Sequence, residues 1–483
     1  MNESELNSLL NELLSQNRET EWLEFKQNNF DPREIGEYIS ALANAASYND
    51  KPFGYLVFGV DDNLNVNGTI FKPKQEKIGN QELENWLITQ LNPPNDFQIF
   101  EFDFFTNQIV IFKIDAALNT PVEFKGEAYI RVGSYKKKLK DHPEKERKIW
   151  TKVANYTFEK GIAERGLSDD DVLNLLDYPS YFNLTKQNLP ANKNAIIEKF
   201  VNEKIIIQIG QQFAITNLGA ILFAKNLANF DSLERKAVRV IVYNGNDKLK
   251  TVKEQVGKKG YASGFNGLIS FVTDQLPSNE QIGKAFREQI KIYPSLAIRE
   301  LVANAIIHQD FSVKGSSPMI EIYNNRIEIS NPGKPIIPTS RFIDHNSESR
   351  NEVLAKFMRR MNICEERGSG IDKVVSECEI FQLPAPNFME GDNYLKVIMY
   401  SPKTLREMDK NDKLRACYQH CVLKYITGEF MTNETLRKRF DVDDKNYPMV
   451  SRIISMAKED KFIKDYSVDN KSPKYAKYIP IWA

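Results

Sequence analysis

Residues 299–312 read RELVANAIIHQDFS. At a helical period Glu300, Asn304 and His308 fall at i, i+4 and i+8, roughly on one face, and apolar residues cover the other side. A polar stripe on such a helix is expected to face a ligand. Downstream, MIEIYNN (319–325) and RIEISN (326–331) read as two strands that run straight into Asn331-Pro-Gly333. Further on, Arg367-Gly-Ser-Gly370 opens a predicted helix, IDKVVSEC (371–378). Glycines there let backbone amides approach an anion at a helix N-terminus. Each box alone is a turn. In this order, together with the polar stripe, they predict a phosphate-binding site.

This ordered set resembles the GHKL (Bergerat-fold) ATPase superfamily of gyrase B, MutL and histidine kinases, in the variant called RecG-like, over roughly residues 236–402. The resemblance implies ATP as ligand with Mg²⁺. Asn304 would hold the Mg²⁺, and Glu300 would be the base that activates water. Asn331 stands where the family usually has the aspartate that accepts the adenine amino group; an acceptor oxygen is kept and a charge is lost. Gly333 would shape the pocket floor, while Gly368 and Gly370 would cradle phosphate. The stretch from Gly333 to Gly368 fits a mobile lid over the nucleotide, with Arg350 and Lys356 as candidate γ-phosphate contacts. His308 is expected to pack or to support rather than to catalyse.

Near the N-terminus, Glu19-Thr-Glu-Trp-Leu-Glu24-Phe-Lys26, then ISALANAAS (39–47), GYLVFGVDD (54–62) and AYIRVGSYKKK (128–138) resemble the Schlafen-type AlbA-like domain over about residues 10–140. In Schlafen RNases two glutamates and an aspartate bind a divalent metal. The matching positions are Glu19, Glu24 and either Asp61 or Asp62, of which Asp62 is preferred. Carboxylate oxygens suit Mg²⁺ or Mn²⁺, and a metal there could activate water against a phosphodiester. Lys26 could stabilise developing charge. Bacterial relatives are mostly described as DNA-binding modules. Lys136, Lys137, Lys138 and Lys140, with Arg131 and Tyr135 nearby, form the densest basic cluster and favour phosphate contact. Ser40 and Asn44 match family positions and could serve only to cap or pack.

At 483 residues the chain exceeds a single core. Four segments are expected: an α/β Schlafen/AlbA-like domain over 1–150, a helical, winged-helix-like connector over 151–233, a GHKL α/β sandwich over 234–402, and a winged helix over 403–483. The fold class is therefore α+β multidomain. In the connector, NKNAIIEKFVNEKIIIQIGQQFAIT (192–216) reads as helix, with a short hairpin around Gly210. In the last segment a helix over Thr435–Phe440, a turn and a second helix from about Tyr447 have helix-turn-helix cadence. Lys445, Asn446, Tyr447, Ser451 and Arg452 would then face DNA.

Lysine plus arginine and aspartate plus glutamate both number 65, so no global basic field announces a nucleic-acid partner and any such contact must be a local patch. Four cysteines without a CxxC pair suit free thiols in a reducing cytoplasm. Cys417 and Cys421 with His420 are better read as core packing than as metal ligands. The acidic, amphipathic start is not that of a signal peptide, and no apolar run is long enough to span a bilayer. None of the four histidines opens a phosphoacceptor box, and no GxxxxGK[ST] occurs, so kinase and helicase readings are set aside. The expectation is a cytoplasmic, ATP-binding and ATP-hydrolysing nucleic-acid-binding regulator, homodimeric by resemblance. The alternative is a metal-dependent RNA or tRNA nuclease switched by the ATP module.

Overall fold

A computed structural model describes residues 3–16, 19–117, 120–154, 157–282, 287–345, 348–364, 370–466 and 476–483. The chain is α+β and divides into two compact units, Met1–Tyr156 and Thr157–Ala483.

In the first unit four strands lie in the order Leu23–Lys26, Phe53–Phe58, Asn107–Asp115, Phe97–Phe104. The first two are parallel and the other pairings antiparallel. A parallel pair needs a crossover, and the helix Pro32–Tyr48 supplies it. Asp31 caps that helix by accepting from the Arg33 and Glu34 amides, and Pro32 occupies its first turn. Its apolar face, Ile35, Ile39, Leu42 and Ala43, packs on Leu56, Phe58 and Phe112. Ser40 and Asn44 are fully buried on the same helix. The Ser40 hydroxyl donates to the Val122 carbonyl and accepts from the Tyr129 amide, while Asn44 exchanges hydrogen bonds with both backbone groups of Val122 and donates to the Tyr129 carbonyl. Both residues staple the helix to the strand Glu127–Val132 and satisfy backbone groups of Val122 and Tyr129.

In the second unit the helix Lys193–Asn202 stops short of the helical reading of 192–216. Lys204 takes a left-handed φ of +58°, and Ile206–Ile209 pairs with Gln212–Thr216 across Gly210 as a hairpin. A short isoleucine run has no period of its own to separate buried strand from buried helix. A six-stranded sheet follows in the order Thr251–Val256, Arg239–Tyr243, Met319–Ile322, Arg326–Pro332, Tyr394–Tyr400, Asn387–Glu390. Only Arg239–Tyr243 and Met319–Ile322 run parallel. The helix Ser295–Ile307 buries Ile298, Leu301, Val302 and Ile306 in the cluster that holds Ile320, Ile327, Ile329 and Val397. That cluster begins at Leu167, so the connector hairpin and the sheet share one core.

The last helices, Lys410–Ile426, Asn433–Arg439 and Tyr447–Glu459, enclose a separate core of Leu414, Cys417, Cys421, Leu436, Val450 and Ile454. An antiparallel pair, Ile463–Asp465 with Tyr478–Pro480, closes it, and Met431 bridges to Tyr478. Both cysteines are fully buried, and His420 turns to Glu379 instead. Among the described residues no helix is long and apolar enough to cross a membrane.

Candidate nucleotide site and N-terminal charge cluster

Glu300 and Asn304 project from one face of the helix Ser295–Ile307 into a cavity of about 160 Å³. His308 caps the helix, its amide bonded to the Asn304 carbonyl at 2.9 Å, and lines the same cavity. Asn331 enters from the penultimate position of the strand Arg326–Pro332 among Ile329, Leu395 and Val397. Its Nδ2 donates to the Pro332 carbonyl at 3.2 Å, which leaves Oδ1 as the acceptor turned the other way. The cavity thus combines apolar side chains and one buried amide from the sheet with a carboxylate and a second amide from the helix. This combination suits a base joined to a phosphate chain.

Two glycines are required by this packing. Gly333 sits at φ +93°, and a Cβ there would come within 2.5 Å of the Asp310 Cβ. Gly370 opens the helix Gly370–Ile380, and a Cβ on it would land on the Glu300 carboxylate. Gly368 lies outside the described residues. His308 is held near a pKa of about 4, by burial first and by the Arg350 charge second, so it is neutral at pH 7.

Two cations expected at the phosphates point elsewhere. Arg350 is bonded to the Asp310 carboxylate and, through its other nitrogen, to the Lys334 carbonyl at 2.6 Å. It clamps the turn at Gly333 and does not line the cavity. Lys356 lies on the helix Glu352–Arg360 with Val353, Phe357 and Arg360 against a different cleft. The cavity receives Ala355 and Arg359 from that helix. Positions 355 and 359 share a face, and 356 and 360 share the next. Arg359 is therefore a cation that sequence reasoning missed, and Lys334 is a second one on the cavity lining. The helical phase set by buried Leu354, Ala355, Phe357 and Met358 could have found Arg359. Cys364 lines the cavity too, and burial pushes its thiol up to about 12, out of nucleophilic range.

In the N-terminal unit the three expected metal ligands divide between an ion-pair cluster and a cleft, with Glu19 in both. Glu24 is buried and paired with Arg131 and, at 2.7 Å, with Lys26. Arg131 is fully buried, also bonds Glu19 at 3.0 Å, and donates to the Leu23 carbonyl. Burial lowers its pKa and the glutamates oppose that shift. Glu19 further accepts from the Phe25 amide at 3.1 Å. Asp62 is exposed on the rim of a cleft of about 700 Å³ that Glu19 and Asp61 also line, whereas Glu24 does not. Asp61 caps its own loop, accepting from the Asn63 and Asn65 amides and from the Asn65 and Asn67 side chains. Among the described residues no group of three or more His, Cys, Asp or Glu is arranged to hold a metal ion. A divalent metal held by Glu19, Glu24 and Asp62 therefore stays a proposal; in this structure Arg131 pairs with both glutamates and Lys26 with Glu24.

The same geometry removes Arg131 as a nucleic-acid contact, because no atom of it reaches the surface, and it commits Lys26 to Glu24. Lys136 is half-buried against Glu37 at 2.7 Å and over the Tyr38 ring. Lys138 and Lys140 are exposed yet share Glu127, at 3.0 and 2.9 Å. Lys137 is exposed beside Tyr135 on the strand Tyr135–Lys138. On the helix Tyr447–Glu459, Arg452 is exposed, and half-buried Ser451 accepts from Asn433 at 3.0 Å.

Residues 19–140 match the family model described as Schlafen, AlbA_2. Residues 315–399 match HATPase_c_4, described as "Putative ATP-dependent DNA helicase recG C-terminal". No curated protein matches the chain. One solved structure, that of the DIP2311 protein from Corynebacterium diphtheriae, aligns over 99% of this chain and 97% of its own at 14% identity, with a TM-score of 0.41. That likeness is too distant to bear on function.

Proposed function

From a chain that joins a Schlafen AlbA_2 domain to a recG C-terminal-type ATPase domain, we propose an ATP-binding and ATP-hydrolysing regulator that acts on nucleic acid. The observation that carries the reading is the convergence of Glu300, Asn304, Asn331 and Gly370 on one cavity that is otherwise largely apolar. Mg²⁺ bound with the nucleotide would neutralise phosphate charge. Asn304 would hold that ion through its amide oxygen. Glu300, close-packed against Gly370, would take the proton from the attacking water. The amides at the start of the Gly370–Ile380 helix would receive phosphate oxygens, and Arg359 would meet the terminal phosphate. Asn331 Oδ1 would accept the adenine amino group, a preference for adenine over guanine that needs no charge.

Nucleic acid is the proposed partner of both ends of the chain. At the N-terminal end the contact would be carried by Lys137 and Lys138, with Lys140 beside them. At the C-terminal end a winged-helix reading is supported by three helices and a closing antiparallel pair. Arg452 and Ser451 there, with exposed Tyr447, would meet phosphate and base edges. A cytoplasmic homodimer is the expected working form.

The test is titration of the full chain with Mg-ATP beside Asn304→Ala, followed by incubation with labelled tRNA, single-stranded RNA and duplex DNA. Binding by wild type and its loss in Asn304→Ala is the expected result. Equal binding by both proteins would refute the site. Cleavage of any substrate that Glu24→Ala abolishes would favour the nuclease reading.

A further inference from the structure

After the strand that ends at Pro332, residues 334–345 form one wall of the cavity beside the start of the helix Gly370–Ile380. Phe342 and His345 face inward from it, with Ile371 beside them at the start of the helix. The outer side of the same wall is held by the C-terminal helices. Tyr418 Oη donates to the Ser340 carbonyl at 2.7 Å, and Trp482 Nε1 donates to Tyr418 Oη at 3.0 Å. The Arg341 guanidinium lies 4.3 Å from the Trp482 ring centre and is itself fixed by Asp344. Ile343, Val375 and Val422 are buried together, with Ile371, Tyr418 and Trp482 packed on them. Ile371 thus belongs both to the cavity lining and to this contact.

The far end of the same helix is tied down independently. Glu379 pairs with His420 at 3.0 Å and with Arg439 at 3.3 Å. Just beyond it, the Leu383, Ala385 and Pro386 carbonyls accept from Arg439, Arg415 and Gln419. The helix Gly370–Ile380 is consequently a rod with one end in the cavity and the other in the C-terminal helices.

The cavity holds about 160 Å³, below the roughly 300–1,000 Å³ of sites that enclose small molecules. Enclosing a whole nucleotide takes more room than this, and outward movement of this wall, toward Tyr418 and Trp482, is one way to gain it. We infer that nucleotide binding and docking of the C-terminal helices against residues 340–343 oppose each other, so that ATP loosens the C-terminal helices. The inference rests on the ATP reading of the cavity. By linkage, a partner that binds only the loosened helices tightens ATP binding by the factor with which ATP tightens its own binding.

The experiment measures ATP affinity of the full chain by calorimetry for wild type, Trp482→Ala and Trp482→Phe, with Asn304→Ala as control, and hydrogen exchange of wild type with and without Mg-ATP. Trp482→Ala removes the ring that braces Arg341, so ATP should bind about 5-fold more tightly or better. Trp482→Phe keeps a ring there and should fall between the two. In wild type, ATP should speed exchange in residues 410–426 and 476–483 while slowing it in 300–308. Exchange on wild type keeps the test decisive if Trp482→Ala fails to fold. Unchanged or weaker ATP binding in a folded Trp482→Ala, or unchanged or slower exchange in 410–426 of ATP-bound wild type, overturns the opposition and leaves the ATP site standing. Wild type that binds no ATP sinks both.

Discussion

Two groups of carboxylates and cations, one in each compact unit, look alike as sequence and differ in where their charges are directed. Around Arg131 the charges face one another: Glu19 and Glu24 pair with a fully buried guanidinium, and Lys26 pairs with Glu24. Around Glu300 the charged and amide groups face a cavity, and the surrounding chain makes room by keeping glycine at 370. A closed charge cluster acts on stability, whereas an open one acts on a ligand. The distinction is experimentally separable because each cluster lies in its own unit.

The sharpest separation is expected from Arg131→Met. Removing one partner of a buried ion pair costs up to about 3–5 kcal/mol, and here it leaves buried Glu24 with Lys26 as the cation it is still paired to. Urea unfolding should show that loss for the N-terminal unit while ATP affinity stays at the wild-type value. Loss of ATP binding without loss of stability would erase the comparison. On the other side, Glu300→Gln should retain nucleotide and slow turnover by about 100-fold or more, with no shift in the unfolding midpoint beyond about 1 kcal/mol. Steady-state phosphate release beside binding titration decides it; turnover equal to wild type would move the base elsewhere.

Smaller, and confined to the cavity, is the effect of Arg359→Gln. The ratio of ATP to ADP affinity should fall about 10-fold, in line with one charge-assisted contact of roughly 1.5–3 kcal/mol, whereas Lys356→Gln leaves the ratio as it was. Equal effects of the two would mean that the phase of the Glu352–Arg360 helix does not sort them.

The smallest effect concerns pH. His308 has its folded pKa depressed to about 4, so its contribution to stability is present above its unfolded value near 6.5 and is lost as pH falls toward 4. Asp372 is raised to about 6, by burial foremost and with the Asp344 charge adding, so its contribution is present below 3.8 and is lost as pH rises through 6. The two oppose each other between pH 4 and 6. Asp372→Asn should therefore be more stable than wild type at pH 7.5 and gain little at pH 4. Parallel stability curves for the two proteins would contradict the Asp372 shift.

Much of this was readable from the sequence where the signal is local. The period of Ser295–Ile307 places Glu300 and Asn304 together, and the crossover helix Pro32–Tyr48 announces itself by its aspartate cap, proline and apolar stripe. What escaped depends on residues far apart in the chain. AYIRVGSYKKK reads as a basic patch, yet Arg131 is buried by Glu19 and Glu24, more than a hundred positions away. The isoleucine run after Asn202 became a strand because Lys204 turns left-handed and its partner lies beyond Gly210. Arg359 was within reach, since four buried neighbours fix the face it shares with Ala355. Lys356, expected at the phosphates from its place in the lid-like stretch, falls on the neighbouring face with Arg360.

The absent side chain at position 370 has a bearing on descent. Any larger residue there would take the space of the Glu300 carboxylate, so neither position is free to drift alone. Across diverged copies of this chain, replacement of Gly370 should coincide with replacement of Glu300 by something shorter. Lineages in which both have changed would mark where a catalyst became a sensor.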